Sequence, residues 1–351
     1  MKRVQSLGLT FLFLFLSTGL FAQEKEKKET KLFEEDQPLP VKLHLSFKKL
    51  KKESNDSTYI PVAFSYKNEE GSWVELDAGI KKRGAFRLAN CYFPPIKVKI
   101  PKKKAKGTPF RSDRKLKIVL PCQRDKNNND NIIKEYWAYQ LYEILSPYHF
   151  RTRLLDVELT EERGKKVITH QLKGLVIEHI DEVAKRYDAK EHRRGVPDEY
   201  HDPEAALRHN YFQYMIGNWD FHTQQPHNVK LIYKDNTTIP IPYDFDLCGL
   251  VNPKYAFVPD WLNKQTGIEH VTQRVYRGHK RPEGSCTLVR DEFLAKRDEI
   301  KALAARMEKH FEDPMMYQTA VEYLDEFYSI LTNPKMYDRL ILTEASLEEE
   351  P

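Results

Sequence analysis

The chain has 351 residues, of which 40% are hydrophobic and 31% charged, and its formal net charge is +5. This length exceeds one average domain and is common for an enzyme built of two lobes. The net charge is too small to indicate a nucleic-acid partner, and the short lysine runs at 48–52 and 102–106 are typical of solvated faces.

The first 22 residues have the pattern of a secretory signal peptide. Lys2 and Arg3 precede an apolar stretch over 7–21, and Ala22 ends it before a strongly charged segment. The apolar stretch is shorter than the ~20 residues of a membrane-spanning helix. We therefore expect export to the periplasm or the outside of the cell, with no stable membrane span after cleavage. Residues 23–40 are rich in Lys and Glu and predict a disordered leader.

The remaining chain changes from strand-type to helix-type periodicity. Alternating apolar residues predict strands between 41 and 120, a four-residue apolar spacing predicts a helix over 132–146, and two further strands follow at 154–159 and 167–179. Amphipathic helices are predicted over 203–217, 290–312 and 317–331. This order favours an α+β fold with two unequal lobes. The last residues, 341–351, form an acidic tail.

Four cysteines could be oxidised in an exported protein: Cys91, Cys122, Cys248 and Cys286. Four cysteines allow three pairings, and their spacing does not choose among them. Their spacing also lacks the Cys-x-x-Cys pattern of a zinc site.

The chemistry-bearing residues lie around a predicted β-hairpin. Strands at 229–233 and 239–243 flank a polar turn, and a hairpin centred on Asn236 places Asn228 opposite Asp244. Asp246 shares the face of Asp244 if the strand continues, and Asp220 enters from the preceding helix. Amide and carboxylate oxygens suit Mg²⁺ or Mn²⁺ held together with phosphate oxygens.

This set resembles the catalytic and metal-binding loops of the kinase superfamily, and most of all the spore coat protein H (CotH) kinase-like family. That family also has an Asp-x-Asp followed by Gly, as in the segment 244–249. The Lys-Arg-Gly-Ala at 82–85, the lysine-bearing strand after Phe93 and the segment 173–181 are similar to further family motifs, so the resemblance covers about residues 75–260. The Pro-Tyr-Asp-Phe-Asp pattern is also similar to that of uncharacterised exported bacterial proteins.

The resemblance implies a protein-kinase-like two-lobed fold, with a β-rich lobe at 41–182 and a helical lobe at 183–340. It implies that Asp220 is the catalytic base, that Asn228 and Asp244 or Asp246 hold the metal, and that ATP is the phosphoryl donor. Lys97 or Lys99 would bind the phosphates, and Glu178 would contact the nucleotide. The acceptor would be a hydroxyl, such as a Ser or Thr of an exported protein.

Two other functions remain open at this point. The same scaffold could be a non-catalytic module that binds a nucleotide or a protein partner. Alternatively, His222 and His227 could join the aspartates in a metal-dependent hydrolase, although their spacing lacks helical register.

Overall fold

The computed structural model describes residues 31–343, apart from residues 56, 85 and 126. The predicted signal peptide, residues 23–30 of the predicted leader and residues 344–351 of the predicted tail lie outside these described residues. No helix within the described part of the chain is long and apolar enough to cross a membrane.

Seven strands make up the first half of the described chain. They are β1 (Leu39–Leu45), β2 (Ile60–Lys67), β3 (Trp73–Lys82), β4 (Ile96–Lys99), β5 (Lys115–Val119), β6 (Thr152–Arg163) and β7 (Lys166–Ile177). Their side chains alternate, as the sequence predicts, and one set of them fills the interior. This inner core includes Val41, Phe64, Ile80, Val98, Ile118 and Val157, all at most 1% exposed.

Four helices interrupt these strands: α1 (Phe47–Glu53), α2 (Phe86–Asn90), α3 (Lys102–Ala105) and α4 (Asn127–Leu145). Three are short, but α4 has 19 residues, most of them buried. It packs on the outer face of β6 and β7, so one side of the barrel is covered. The predicted helix over 132–146 is confirmed and begins five residues earlier.

The strands close into a barrel in the order β1–β2–β3–β4–β5–β7–β6. Closure depends on β1, which pairs in parallel with β6 from Leu39↔Leu155 to Leu45↔Glu161. The predicted protein-kinase-like two-lobed fold is therefore wrong, although the α+β content is confirmed. The sequence could not indicate this closure, because it joins strands that are separated by more than a hundred residues.

The second half is mainly helical. Its elements are α5 (Ile180–Arg186), β8 (Lys190–His192), α6 (Pro203–Met215), β9 (Val229–Lys234), β10 (Thr237–Pro242), α7 (Asp260–Thr266), α8 (Glu283–Ala295), α9 (Arg297–Glu308), α10 (Pro314–Thr332) and α11 (Pro334–Tyr337), and a π-helical segment follows at Asp338–Thr343. Asp202 caps α6 by accepting a hydrogen bond from the Ala205 amide, and Pro203 occupies the first turn. The predicted helix over 290–312 is two helices, which meet at Lys296.

The larger hydrophobic core joins the two halves. It combines Trp137 of α4 and Leu175 of β7 with Phe212 of α6 and Phe327 of α10, each fully buried. This core therefore contains residues from both sides of the predicted lobe boundary at 182.

The predicted disordered leader is wrong for residues 31–40. Leu32 is fully buried, and β1 begins at Leu39. Arg153 of β6 anchors residues 32–35, since its guanidinium donates to the Leu32 carbonyl at 3.1 Å and pairs with the Glu35 carboxylate at 2.6 Å.

Candidate functional site

The predicted hairpin of β9 and β10 is present, with a different register. Thr237 pairs with Lys234, so opposite residues are related through a two-residue turn at Asp235 and Asn236. Both turn residues have positive φ, 49° and 63°, which is the conformation of a tight hairpin turn. The prediction centred the turn on Asn236 alone and was wrong by one position. Consequently Asn228 faces Tyr243, whose amide donates to the Asn228 carbonyl at 3.0 Å.

Asn228 and Asp244 both leave their strands in the left-handed backbone region. Their φ values are 50° and 68°, which few residues other than glycine adopt, although Asn and Asp tolerate it best. At Asp244 the amide donates to the Tyr139 hydroxyl of α4 at 2.8 Å, which holds the turn. Such conformations cluster at functional sites, and here they mark both residues at the open end of the hairpin.

Asp220 is locked to this end of the hairpin. The Asn228 side-chain amide donates to the Asp220 carbonyl at 2.8 Å and to its carboxylate at 2.9 Å. The other carboxylate oxygen contacts Nε2 of His227 at 3.0 Å, and this hydrogen bond raises the pKa of His227. Since the amide nitrogen of Asn228 is engaged, its amide oxygen is the atom that remains to hold a cation. The structure thus brings the predicted residues Asp220 and Asn228 into direct contact.

Two arginines face the two later aspartates. Arg83 lies 3.5 Å from the Asp244 carboxylate, and Arg87 lies 3.7 Å from the Asp246 carboxylate. Tyr255 also donates to Asp246 at 3.2 Å. Burial raises the pKa of Asp246 to about 6 despite the charge of Arg87.

The pKa of Asp244 is lowered, whereas that of Asp246 is raised. Burial alone would raise the pKa of Asp244, but the positive charges of Lys117 and Arg83 outweigh it and hold this pKa below its ordinary value. Asp244 is therefore the better cation ligand, because Asp246 binds a proton at higher pH.

A lysine and a glutamate that the sequence analysis did not select complete the cluster. Lys117 lies on the outer face of β5, with its ammonium 4.0 Å from the ring centre of Tyr243. Glu135, on α4, is 1% exposed, and burial followed by repulsion from Asp246 raises its pKa to about 8. Burial, followed by repulsion from Arg83, holds the pKa of Lys117 well below its ordinary value. Lys117 and Glu135 each shift the pKa of the other toward the charged form.

Several polar atoms of this cluster are buried without a hydrogen-bond partner among the described residues. They are Nη1 of Arg83, Nε of Arg87 and Oε1 of Glu135. Buried polar atoms in folded proteins are nearly always paired, and an unpaired one costs about 1–3 kcal/mol. Nε of Arg87 has only the Asp246 carboxylate at 3.7 Å, beyond hydrogen-bond distance, so both guanidinium groups keep a donor for an anionic ligand.

The arginine-bearing segment is held by a disulfide between Cys91 and Cys122, which follows α2 and joins it to the end of β5. The Tyr92 amide donates to the Cys122 carbonyl at 2.8 Å, and Arg87 donates to the Leu120 carbonyl. Cys248 and Cys286 are buried thiols. The disulfide thus fixes Arg87 against the barrel, beside the acidic groups.

The other predicted ligand residues lie elsewhere on the barrel. Lys97 projects from the outer face of β4, directly opposite Lys117, and the ammonium of Lys99 lies 5.7 Å from the ring centre of Tyr59. Glu178 is 3% exposed and its carboxylate is saturated by Arg186 at 2.7 Å and by the Arg151 amide at 3.0 Å. Glu178 is therefore a structural ion-pair partner and does not join the cluster.

The imidazoles do not assemble a metal site with the aspartates. His222 accepts a hydrogen bond from the Gln225 amide within its own loop at 2.9 Å, and it bridges to His227 through the backbone. No group of three His, Cys, Asp or Glu side chains able to hold a metal ion occurs within the described ranges. A divalent cation would need the Asn228 amide oxygen and ligand phosphate oxygens as well as carboxylates, which is how Mg²⁺ is usually bound.

Comparisons with known proteins assign no relative to the chain: no protein-family model, no curated protein and no solved structure matches it.

Proposed function

We propose that this protein is an exported enzyme that transfers a phosphoryl group from a phosphoanhydride donor to a hydroxyl acceptor, with the help of a divalent cation. The observation that carries the proposal is the mixed cluster at the hairpin end. An ionised Asp244 lies among Arg83, Arg87 and Lys117, and two of the guanidinium nitrogens are buried without a hydrogen bond to any described residue. Phosphoryl transfer depends mainly on positioning and on such charge compensation.

The donor phosphates would bind the basic side of the cluster. Arg83 and Arg87 offer the planar forks that suit phosphate oxygens. Lys117 would add a point charge, and a phosphate beside it would favour its protonated form. Glu135 supports this role, because its negative charge raises the pKa of Lys117.

The acceptor would bind at Asp220. The Asp220 side chain is 19% exposed, and its hydrogen bonds with Asn228 and His227 set its orientation. As the acceptor oxygen attacks the terminal phosphorus, its proton passes to the Asp220 carboxylate. The phosphoanhydride P–O bond breaks, and its electron pair leaves with the bridging oxygen of the shortened donor.

Amide and carboxylate oxygens at the hairpin end would suit a hard cation such as Mg²⁺ or Mn²⁺. Asn228 and Asp244 would hold it, with Asp246 as the weaker alternative because of its raised pKa. When bound, the cation neutralises charge on the donor phosphates.

Export is part of the proposal, and the cysteines support it. A disulfide between Cys91 and Cys122 is expected in an oxidising compartment, in line with the signal-peptide pattern of residues 1–22. The acceptor would then be a hydroxyl on another exported molecule, such as a Ser or Thr of a protein.

The test is transfer of label from phosphoanhydride donors, both a nucleoside triphosphate and inorganic polyphosphate, to the protein itself and to dephosphorylated casein, with Mg²⁺ or Mn²⁺. We expect Asp220→Asn to abolish transfer while donor binding persists, and Asp244→Asn to weaken both. Asp188→Asn is the matched control for Asp244, since Asp188 is an exposed aspartate with φ of 54°. Equal transfer by the wild type and Asp220→Asn would refute the proposal.

The ion pairs of Asp244 and Asp246 with arginines favour one second candidate. In it the aspartates orient Arg83 and Arg87, and the site binds a phosphorylated ligand without metal or turnover. This candidate predicts that donor binding is unchanged by chelation of divalent ions and that no label is transferred.

A further inference from the structure

A chain of hydrogen-bonded side chains runs from the backbone of Asp220 into the helical half of the protein. The Asp220 amide donates to Oδ1 of Asn218 at 3.1 Å, and Nδ2 of Asn218 donates to Oε1 of Gln213 at 3.0 Å. Nε2 of Gln213 lies 3.2 Å from Nε2 of His209. Nδ1 of His209 lies 3.1 Å from Oδ1 of Asn210. Four side chains thus connect Asp220 to the middle of α6.

The far end of this chain is a carboxylate. Nδ2 of Asn210 donates to Oδ2 of Asp198 at 2.9 Å, and the His279 amide donates to the same oxygen at 2.9 Å. Arg281 donates to the Asp198 carbonyl at 2.6 Å. Asp198 is held from three sides and is therefore a fixed end for the chain.

The helix α6 brings the four side chains together. His209 and Gln213 are four positions apart, so they lie on one face of the helix. Asn218 follows the end of α6, and its own amide donates to the Gln213 carbonyl at 2.8 Å. All four side chains are at most 3% exposed. Buried polar groups are nearly always hydrogen-bonded, and here each one finds its partner within the chain.

The two ends of the chain require one direction for every hydrogen bond. A backbone amide can only donate, and an ionised carboxylate can only accept. The bonds therefore run from Asp220 to Asp198, and Gln213 donates to Nε2 of His209. His209 is then neutral, and its proton on Nδ1 is donated to Asn210. Burial lowers the pKa of His209 to about 4, so the neutral imidazole is favoured at neutral pH.

Asp220 lies at the centre of a tight turn. The Phe221 amide donates to the Trp219 carbonyl at 3.0 Å, which closes a three-residue turn. Arg277 donates to the carbonyls of Trp219 and Phe221 at 2.5 and 3.0 Å. The amide of Asp220 is fixed separately by Asn218, so a change at Asn218 would let the turn rotate and move the carboxylate.

We propose that Asn218 positions the carboxylate of Asp220, and that the buried chain behind it keeps Asn218 in the orientation that this role requires. A reversed side-chain amide of Asn218 would place its NH₂ group against the Asp220 amide, so that two donors would meet. The chain prevents this reversal, because Gln213 donates to His209 and so presents its oxygen to Asn218. The effect on catalysis rests on the proposed function, whereas the chain itself can be tested without turnover.

Imidazole ¹⁵N chemical shifts at neutral pH test the direction of the chain. We expect His209 of the wild type to carry its proton on Nδ1. In Gln213→Glu the carboxylate can only accept, so Nε2 of His209 should become protonated. A proton on Nε2 in the wild type, or none on Nε2 in Gln213→Glu, would overturn the proposed direction.

The pKa of His227 reports the position of the Asp220 carboxylate, because their hydrogen bond raises it. Asn218→Ala should bring this pKa down toward its ordinary value. Asn218→Asp retains an oxygen that accepts from the Asp220 amide, so it should keep the pKa raised. Label transfer should fall about 100-fold in Asn218→Ala, with the KM for the donor nearly unchanged, and should recover in Asn218→Asp, since a slightly misplaced catalytic group has an effect of this size.

Tyr211→Phe is the matched control, because Tyr211 is a fully buried residue of α6 whose hydroxyl lies 2.6 Å from that of Tyr337, outside the chain. It should lower the unfolding temperature without changing the pKa of His227 or label transfer. An equal fall of this pKa in the control, no fall in Asn218→Ala, or full transfer by Asn218→Ala would overturn the positioning role. A fall of this pKa in Asn218→Ala, with no label transfer by the wild type, would retain the positioning role and refute the enzymatic function.

Discussion

Replacement of Glu135 by Gln should make the protein more stable and less active at the same time. The substitution keeps the shape of the side chain and removes a charge that is 1% exposed. Burial raises the pKa of Glu135 from 4.5 to about 8, so folding disfavours its ionised form. The difference between a pKa of 4.5 and one of about 8 corresponds to an electrostatic cost on the order of 5 kcal/mol once Glu135 is ionised in both the folded and the unfolded state.

The sign of the pH dependence follows from linkage. A raised carboxyl pKa contributes stability that is complete below the unfolded value and is lost as pH rises through the folded value. The advantage of Glu135→Gln should therefore be absent near pH 4.5, grow between pH 4.5 and 8, and reach its limit above pH 8. Urea unfolding of both proteins at pH 4.5, 6, 7 and 9 measures the difference directly.

Glu178→Gln is the matched control. Glu178 is equally buried, but it is paired with Arg186 at 2.7 Å, so its loss should destabilise the fold by about 1–3 kcal/mol. Label transfer should fall in Glu135→Gln and remain in Glu178→Gln. Lower stability of Glu135→Gln than of the wild type at pH 9, or full label transfer by this variant, would contradict the role of Glu135 in the cluster.

Three further predictions concern the groups around this cluster. Asp220→Asn should lower kcat about 10²–10⁴-fold and leave the KM for the donor nearly unchanged, as steady-state kinetics would show; a change confined to KM would contradict its role as base. Cys122→Ser should lower the free energy of unfolding by about 3–4 kcal/mol, because it opens the loop between Cys91 and Cys122, which are 31 positions apart. It should also weaken donor binding, because the disulfide anchors the end of the short helix that carries Arg87. Unfolding and binding measurements with and without reductant check this, and undiminished donor binding would contradict it. Because the hydrogen bond to Asp220 raises the pKa of His227, this bond stabilises the fold at low pH, and the stability is lost as pH rises through that pKa. The difference in unfolding free energy between the wild type and His227→Gln should therefore vanish at high pH. An NMR titration that gives His227 a pKa below its ordinary value would contradict this hydrogen bond.

Much of the hairpin was predictable because its signals are local. Two short apolar runs around a polar turn predicted β9 and β10, and the same pattern placed Asn228 and Asp244 at their ends. The predicted register was wrong by one residue. The polar turn sequence is compatible with a hairpin centred on Asn236 alone or on the pair Asp235 and Asn236, and the structure has the second arrangement, with both residues at positive φ. Asp220 lies beside Asn228 as predicted, because only seven residues of loop separate them.

The basic half of the cluster was not predictable in the same way. The sequence analysis preferred Lys97 as the phosphate-binding lysine, although Lys117 is the lysine whose charge acts on Asp244. Both lysines lie between apolar residues of a strand, so the sequence does not distinguish them. Arg83 and Arg87 precede Asp244 by more than 150 residues, and Glu135 looks like one polar residue in an apolar helix. Arg83 lies in the Lys-Arg-Gly-Ala motif at 82–85, but nothing in the sequence links that motif to Asp244 or Glu135.

The amino-acid sequence by itself determined the strand and helix periodicities, the β9–β10 hairpin and the acidic half of the site, because these depend on neighbours a few positions apart. Only the tertiary structure decided that β1 closes a barrel against β6, that Cys91 pairs with Cys122, and that Lys117 and Arg83 lie beside Asp244. These features depend on strand pairing and core packing between distant segments, where many arrangements bury similar apolar area and only the complete set of contacts selects one.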